Sequence, residues 1–215
     1  MKTNKQALGI VIILLFSHFV TIAQTKTSYK PVEKSKLDQW VKTARKRGEI
    51  DSSKLQKLDE EYEFVKEHPD NINAVFDYAR ILTIVVQPGL SYAIEKELSV
   101  DAKYLVEESE KAYLSVLLKN SNHGRANIML GTLYNQQGKY SIATSFLEKG
   151  MELPEGSADW MIAANQYLLG GAESKQAHED NYQTVYKLFK KQVPLITRNK
   201  AYYQKMAKLY VSYYE

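Results

Sequence analysis

The chain has 215 residues, of which 44% are hydrophobic and none is cysteine, and its formal net charge at pH 7 is +4. The lack of cysteine excludes disulfides, thiolate nucleophiles, cysteine metal sites and the lipid-bearing cysteine of a bacterial lipoprotein. With 29 basic and 25 acidic residues, the overall charge points to no particular class of partner.

The first 23 residues have the layout of a secretory signal peptide. Two lysines precede an apolar stretch over residues 7–20, and small residues stand at Thr21 and Ala23. We predict cleavage after Ala23 and a periplasmic or secreted product. The alternative is an uncleaved anchor, but Ser17 and His18 interrupt an apolar run that is already shorter than the roughly 20 residues of a spanning helix.

Helical periodicity dominates the rest of the chain, so the predicted fold class is all-α. A polar leader (residues 24–31) precedes an N-terminal helical pair (32–71). Asp51, Ser52 and Ser53 are predicted to offer capping side chains for the second helix of this pair, with Gln56 three residues after Ser53 as in a capping box. The apolar stripes of the two helices are Leu37, Trp40, Val41 and Ala44, and Leu55, Leu58, Tyr62 and Val65.

Further helices follow, joined by short connections that contain glycine or proline. Such connections favour antiparallel neighbours. The predicted ranges are 72–86, 91–98, 101–118, 124–136, 140–151, 158–169, 175–191 and 199–214.

Residues 124–155 contain two predicted helices with small residues at a few positions and large apolar or aromatic residues beside them. The marker residues are Leu130, Gly131, Tyr134, Gly138, Tyr140 and Ala143. This segment resembles a tetratricopeptide repeat. The resemblance implies two helices that cross closely at Gly131 and Ala143. Two positions depart from the family pattern, because Leu147 replaces an aromatic residue and Gly150 an alanine.

Weaker units flank this one, so the resemblance covers residues 72–191. It implies an antiparallel helix-pair solenoid, a superhelix of the tetratricopeptide type, with about three units as the minimum for a stable stack. The helices of 32–71 and a basic, tyrosine-rich segment (192–215) would cap the two ends.

The resemblance also implies a concave groove formed by the first helix of each unit. The predicted inner residues are Asn73, Phe76, Arg80, Arg125, Ile128, Thr132, Asn135, Gln136, Met161, Asn165 and Leu168. A mixed polar and apolar groove with two arginines suits a peptide or an extended protein segment. Phe76 and Thr132 differ from the residues of the family's chaperone-tail clamp, so that use is not expected. We expect an exported protein-interaction module or scaffold.

The alternative is binding to an anionic polymer or envelope surface through the C-terminal helices. Residues 182–215 hold seven basic residues against the single acid Glu215, although we favour the interpretation that this run is the solvated faces of two helices. The candidate residues are Lys187, Lys190, Lys191, Lys205 and Lys208.

Catalytic and metal-binding motifs are missing from the sequence. No histidine has a second one at metal spacing, and no phosphate loop or nucleophile elbow occurs. We therefore expect no enzyme activity, no cofactor, no metal and no nucleic-acid partner. The acidic runs 59–61 and 107–110 are interpreted as solvated helix faces. A glycan hydrolase, which needs two converging carboxylates, is the third alternative.

Overall fold

The computed structural model describes residues 28–86 and 98–152. In these ranges all regular structure is helical, which confirms the all-α prediction for this part of the chain. A 3₁₀ turn, Ser52–Lys54, precedes the second helix. The α-helices are α1 (Lys34–Lys46), α2 (Leu55–Glu67), α3 (Ile72–Val85), α4 (Val100–Lys119), α5 (Gly124–Gln136) and α6 (Tyr140–Met151).

Several predictions concern residues outside these ranges. They are the signal peptide, residues 24–27 of the leader, most of the short helix 91–98, and every helix after residue 152. Three inner residues (Met161, Asn165 and Leu168) and all five candidate lysines of the C-terminal segment belong to this group. They stay predictions.

From α3 onward, each described helix packs against the one before it: α3 on α2, α4 on α3, α5 on α4 and α6 on α5. One apolar core runs through these pairs, and Tyr78, Leu105 and Leu130 are among its fully buried side chains. The helix α1 differs, because its main helix contact is α4. The Trp40 ring of α1 lies 5.2 Å from the Tyr104 ring of α4.

The close approach of α5 and α6 depends on two glycines. A Cβ atom on Gly131 would lie 2.7 Å from Cγ of Leu147, and one on Gly150 would lie 2.4 Å from Cγ1 of Ile128. Ala143 is buried in the same contact region, with 1% exposure. The predicted close crossing at Gly131 is therefore confirmed, and Gly150 is a second site of contact that the sequence pattern marked only as a departure.

The caps at the helix starts differ in part from the prediction. Of the three candidate caps, Asp51 caps the 3₁₀ turn by accepting from the Ser53 backbone N–H. The predicted capping box is wrong, because the Gln56 amide donates to Glu60 at 3.1 Å and α2 has no side-chain cap. Side-chain acceptors do cap the next three helices, at Asn71, Ser99 and His123.

The loop between α1 and the 3₁₀ turn ties together α3 and α4. Both carboxylate oxygens of Glu49 accept from Ser99, one from its backbone N–H at 3.0 Å and one from its hydroxyl at 2.5 Å. Two residues later, the Asp51 N–H donates to the Val85 carbonyl at 2.9 Å. One short loop thus holds the end of α3 and the start of α4.

Residues 28–33 form an extended strap that lies on α4 and α2. The Tyr29 hydroxyl donates to Oε1 of Glu108 at 2.5 Å, and the Val32 N–H donates to the same oxygen at 3.0 Å. The Tyr62 hydroxyl of α2 donates to the Val32 carbonyl at 2.9 Å. Burial and the Glu108 charge raise the pKa of Tyr29, so its hydroxyl remains a hydrogen-bond donor.

The interpretation of residues 107–110 as a solvated face is wrong for two of them. Glu108 is 6% exposed because the strap covers it, and Ser109 is fully buried against α3. The Ser109 hydroxyl donates to the Ala79 carbonyl at 3.1 Å and lies 2.7 Å from Oγ1 of Thr83. Periodicity alone cannot identify these two side chains as buried, because their partners come from distant segments.

We expect Gly150→Ala to lower the free energy of unfolding by about 1–2 kcal/mol. The new methyl group would meet Cγ1 of Ile128 and approach its backbone N at 3.1 Å, so relief requires a shift of α5 as well as of a side chain. Overpacking of this kind costs about 1–3 kcal/mol, against a gain of about 1 kcal/mol in helix propensity.

Urea denaturation followed by circular dichroism measures this effect, and Ile128→Ala supplies a double-mutant cycle. In the Ile128→Ala background the same Gly150→Ala change should cost less, because the obstructing side chain is absent. An equal cost in both backgrounds would refute the contact.

The rings of Tyr29 and Tyr78 lie side by side with centroids 6.2 Å apart, but their hydroxyl groups differ in hydrogen bonding. Tyr29→Phe removes a donor to a buried carboxylate and should lower the free energy of unfolding by about 2 kcal/mol. Among the described residues no group forms a hydrogen bond with the buried Tyr78 hydroxyl, so Tyr78→Phe should raise the free energy of unfolding by about 1 kcal/mol. Denaturation at neutral pH measures both; effects of the same sign would contradict this assignment.

Candidate functional site

The predicted groove residues of the described ranges lie on α3 and α5, which contact each other. Three of them have exposed side chains: Asn73, Arg80 and Arg125. Asp77 joins them, because its carboxylate lies 3.9 Å from Nε of Arg80 and both side chains are 45% exposed. We call these four residues the α3–α5 surface.

Arg125 is held over an aromatic ring. Its guanidinium carbon lies 5.0 Å from the centroid of the Phe76 ring. Phe76 is 3% exposed and packs against the rings of Tyr113 at 5.8 Å and His123 at 5.1 Å. Phe76 therefore supports Arg125 from below and is not itself open to a partner. A cation in this position is stabilised by the ring.

Both arginines lie near the same buried ring. Burial raises the pKa of Tyr113, and the positive charges of Arg80 and Arg125 oppose that rise. Arg80 follows Phe76 by four residues on α3, so both cations lie on the side of the fold where Phe76 meets Tyr113, and Asp77 acts there with the opposite charge. Such a region favours an anionic group or the carbonyl oxygens of a bound chain.

His123 links this surface to the start of α5. Its Nδ1 accepts from the Ala126 N–H at 3.1 Å and so caps the helix. Burial lowers the pKa of His123, and the charge of Arg125 lowers it further. A proton on Nδ1 would break the cap, so protonation and capping are mutually exclusive.

The other predicted inner residues of α5 are not on an open surface. Ile128 is fully buried and faces Gly150 of α6. Thr132 and Asn135 are buried and Gln136 is half-buried. The exposed side chains of Arg80, Arg125 and Asn73 can contact a partner directly. Phe76 and Ile128 are buried and cannot. Ile128 is covered by Gly150 of α6, and Phe76 is covered by Tyr113 of α4 and by His123.

Two residues of the site were not predicted from the sequence. Asp77 stands three positions before Arg80, the spacing at which charged side chains on a helix meet, and this was the available signal. His123 directly precedes α5, at the position of an N-cap. Its ring contact with Phe76 required the tertiary structure.

In the ranges 28–86 and 98–152, no group of three or more histidine, aspartate or glutamate side chains is arranged to hold a metal ion. The helices of the same ranges are all too short or too polar to cross a bilayer. What the α3–α5 surface offers is hydrogen bonding and charge.

No protein-family model matches the chain, and no curated protein or solved structure is significantly similar to it. The resemblance to a tetratricopeptide repeat therefore stays a prediction that rests on the residues of 124–155.

We expect His123 to make the protein less stable in mild acid. Because its pKa is lowered in the folded state, its contribution to stability is present above the unfolded value of 6.5 and is lost as the pH falls below it. His123→Asn keeps a capping side chain but removes the titration.

Thermal melts between about pH 7.5 and pH 5 test this expectation. As the pH falls, the melting temperature of wild type should decrease more than that of His123→Asn. A difference that is constant over this range would show that the His123 cap does not titrate.

Proposed function

We propose that the chain is an exported interaction module of the tetratricopeptide type, which binds a peptide or protein segment on the α3–α5 surface. The observation that carries the proposal is the exposed Arg125 held over the buried Phe76 ring, with a second exposed arginine, Arg80, four residues after Phe76 on α3.

The chemistry of this surface suits an extended polypeptide. A guanidinium group donates two parallel hydrogen bonds to a carboxylate and also binds backbone carbonyls. Asn73 and Asp77 add a neutral donor and acceptor and a carboxylate that can accept from a backbone N–H. Because the Phe76 ring already holds Arg125, binding loses less side-chain entropy than it would with an unsupported arginine.

The helix packing supports a repeat architecture. α4, α5 and α6 follow one another with connections of a few residues, and each packs on its predecessor. The Gly131 contact lies where a tetratricopeptide unit brings its two helices together. Export and a periplasmic or secreted destination are part of the proposal and rest on the signal-peptide layout of residues 1–23.

The test is capture of a partner from the native envelope fraction by the tagged mature protein. Arg80→Ala with Arg125→Ala should abolish capture of any partner that wild type retains, while the circular dichroism spectrum stays unchanged because both side chains are exposed. Lys36→Ala with Lys149→Ala is the matched control, since it removes two exposed cations elsewhere.

Capture that survives in the Arg80→Ala, Arg125→Ala protein would refute the assignment of the surface. Capture that is lost equally in both double variants would show that general charge, and not this surface, is responsible. Asn135, another predicted groove residue, is left out of the test, because its side chain is buried and its replacement would perturb folding.

A further inference from the structure

A cavity of about 430 Å³ lies between α1 and α2, on a part of the fold that the α3–α5 surface does not include. Four apolar side chains line it, two from each helix. These are Leu37, Val41, Leu55 and Leu58. Val41 and Leu55 are only partly buried, so the apolar floor is accessible to solvent. We call this feature the α1–α2 groove.

One end of the groove is closed by ion pairs. Lys34 of α1 reaches across to Asp59 of α2 at 2.9 Å and also bonds Asp38 on its own helix. The two carboxylates line the groove, and their side chains are 62% and 58% exposed. This end is therefore acidic, but its charge is partly neutralised by Lys34.

The rim at the other end is basic. Lys42, Arg45 and Lys46 line the groove, lie on one side of α1 and are exposed. Among the described residues, no carboxylate forms an ion pair with any of the three. Cations in the last turn of a helix are favoured by the helix dipole, which accounts for Arg45 and Lys46. The helix dipole does not account for Lys42, which lies a full turn before Lys46. It also does not account for the apolar side chains that line the groove beside these three cations.

We propose that the α1–α2 groove is a second binding site, which takes an amphipathic helical segment of a partner protein. The segment places apolar side chains, spaced three and four residues apart, on the Val41 and Leu55 floor. Its acidic side chains pair with Arg45 and Lys46. Grooves between helices bind partner helices in this way, through a short row of apolar anchors.

Size and charge favour such a segment over a membrane surface. The volume is in the range of pockets that enclose a small ligand, about 300–1,000 Å³, and so accommodates a few side chains. An anionic bilayer would meet the exposed Asp38 and Asp59 together with the basic rim, and their repulsion would oppose flat binding. A helix can place its acidic residues at the basic end alone.

The probe is a fluorescein-labelled helical peptide with leucine at alternating spacings of three and four residues. The remaining positions are glutamate in one half of the peptide, to face the basic rim, and glutamine in the other half, to face Asp38 and Asp59. A matched peptide carries lysine in place of glutamate. Fluorescence anisotropy should show saturable binding of the glutamate peptide to the mature protein, weakened by salt, and none of the lysine peptide.

Arg45→Gln with Lys46→Gln should weaken binding of the glutamate peptide about tenfold, the loss expected from two partly exposed charge pairs. Lys36→Gln with Lys149→Gln, which removes the same charge elsewhere, should leave it unchanged. Leu55→Gln should also weaken binding, because it places a polar group on the floor. Circular dichroism checks that each variant is folded. If the Arg45→Gln, Lys46→Gln protein is not folded, Lys42→Gln is used in its place.

The proposal is overturned if the glutamate peptide does not bind at concentrations up to ~1 mM, a limit that corresponds to about −4 kcal/mol. It is also overturned if both double variants bind the peptide equally. If the protein binds phosphatidylglycerol vesicles but not the peptide, the ligand of the groove is a membrane surface and the proposal of a partner helix is wrong. None of these results bears on Arg80 and Arg125, so the two surfaces are tested independently.

Discussion

The carboxylate of Glu108 is buried on α4, and much of the N-terminal half is arranged around it. A buried charge without partners costs several kcal/mol, so a structure that buries one has to supply donors. Here the donors are the Tyr29 hydroxyl, the Val32 N–H and, at 3.3 Å, the ammonium group of Lys111. Two of the three come from the strap, so the strap and α4 have to meet.

The position of α1 follows from this contact. The strap leads directly into α1, so fixing Val32 on α4 places the helix along α4, where Trp40 meets Tyr104. The loop after α1 then returns to α3 and α4 through Glu49 and Asp51 before α2 begins. With α1 held against α4 and α2 against α3, the space between α1 and α2 is left incompletely filled. The α1–α2 groove is the result.

A second connection joins the core to the α3–α5 surface. Phe76 packs between Tyr113 and His123 and carries Arg125 on its outer face. The same aromatic side chain thus contributes to packing and positions a surface cation. This arrangement places the two proposed binding surfaces on different helices, one on α1 and α2 and the other on α3 and α5, and each has its own basic residues above apolar side chains.

The sequence by itself determined where the described helices lie, because apolar periodicity and glycine or proline breaks are local signals. It also identified the close helix crossing at Gly131. Only the tertiary structure decided which polar residues are buried: Glu108 meets Tyr29 across 79 positions of the chain, and an acidic run gives no local sign of such a partner. For the same reason, the groove residues Phe76 and Ile128 were assigned from spacing on a single helix, whereas their burial depends on what α4 and α6 place against them.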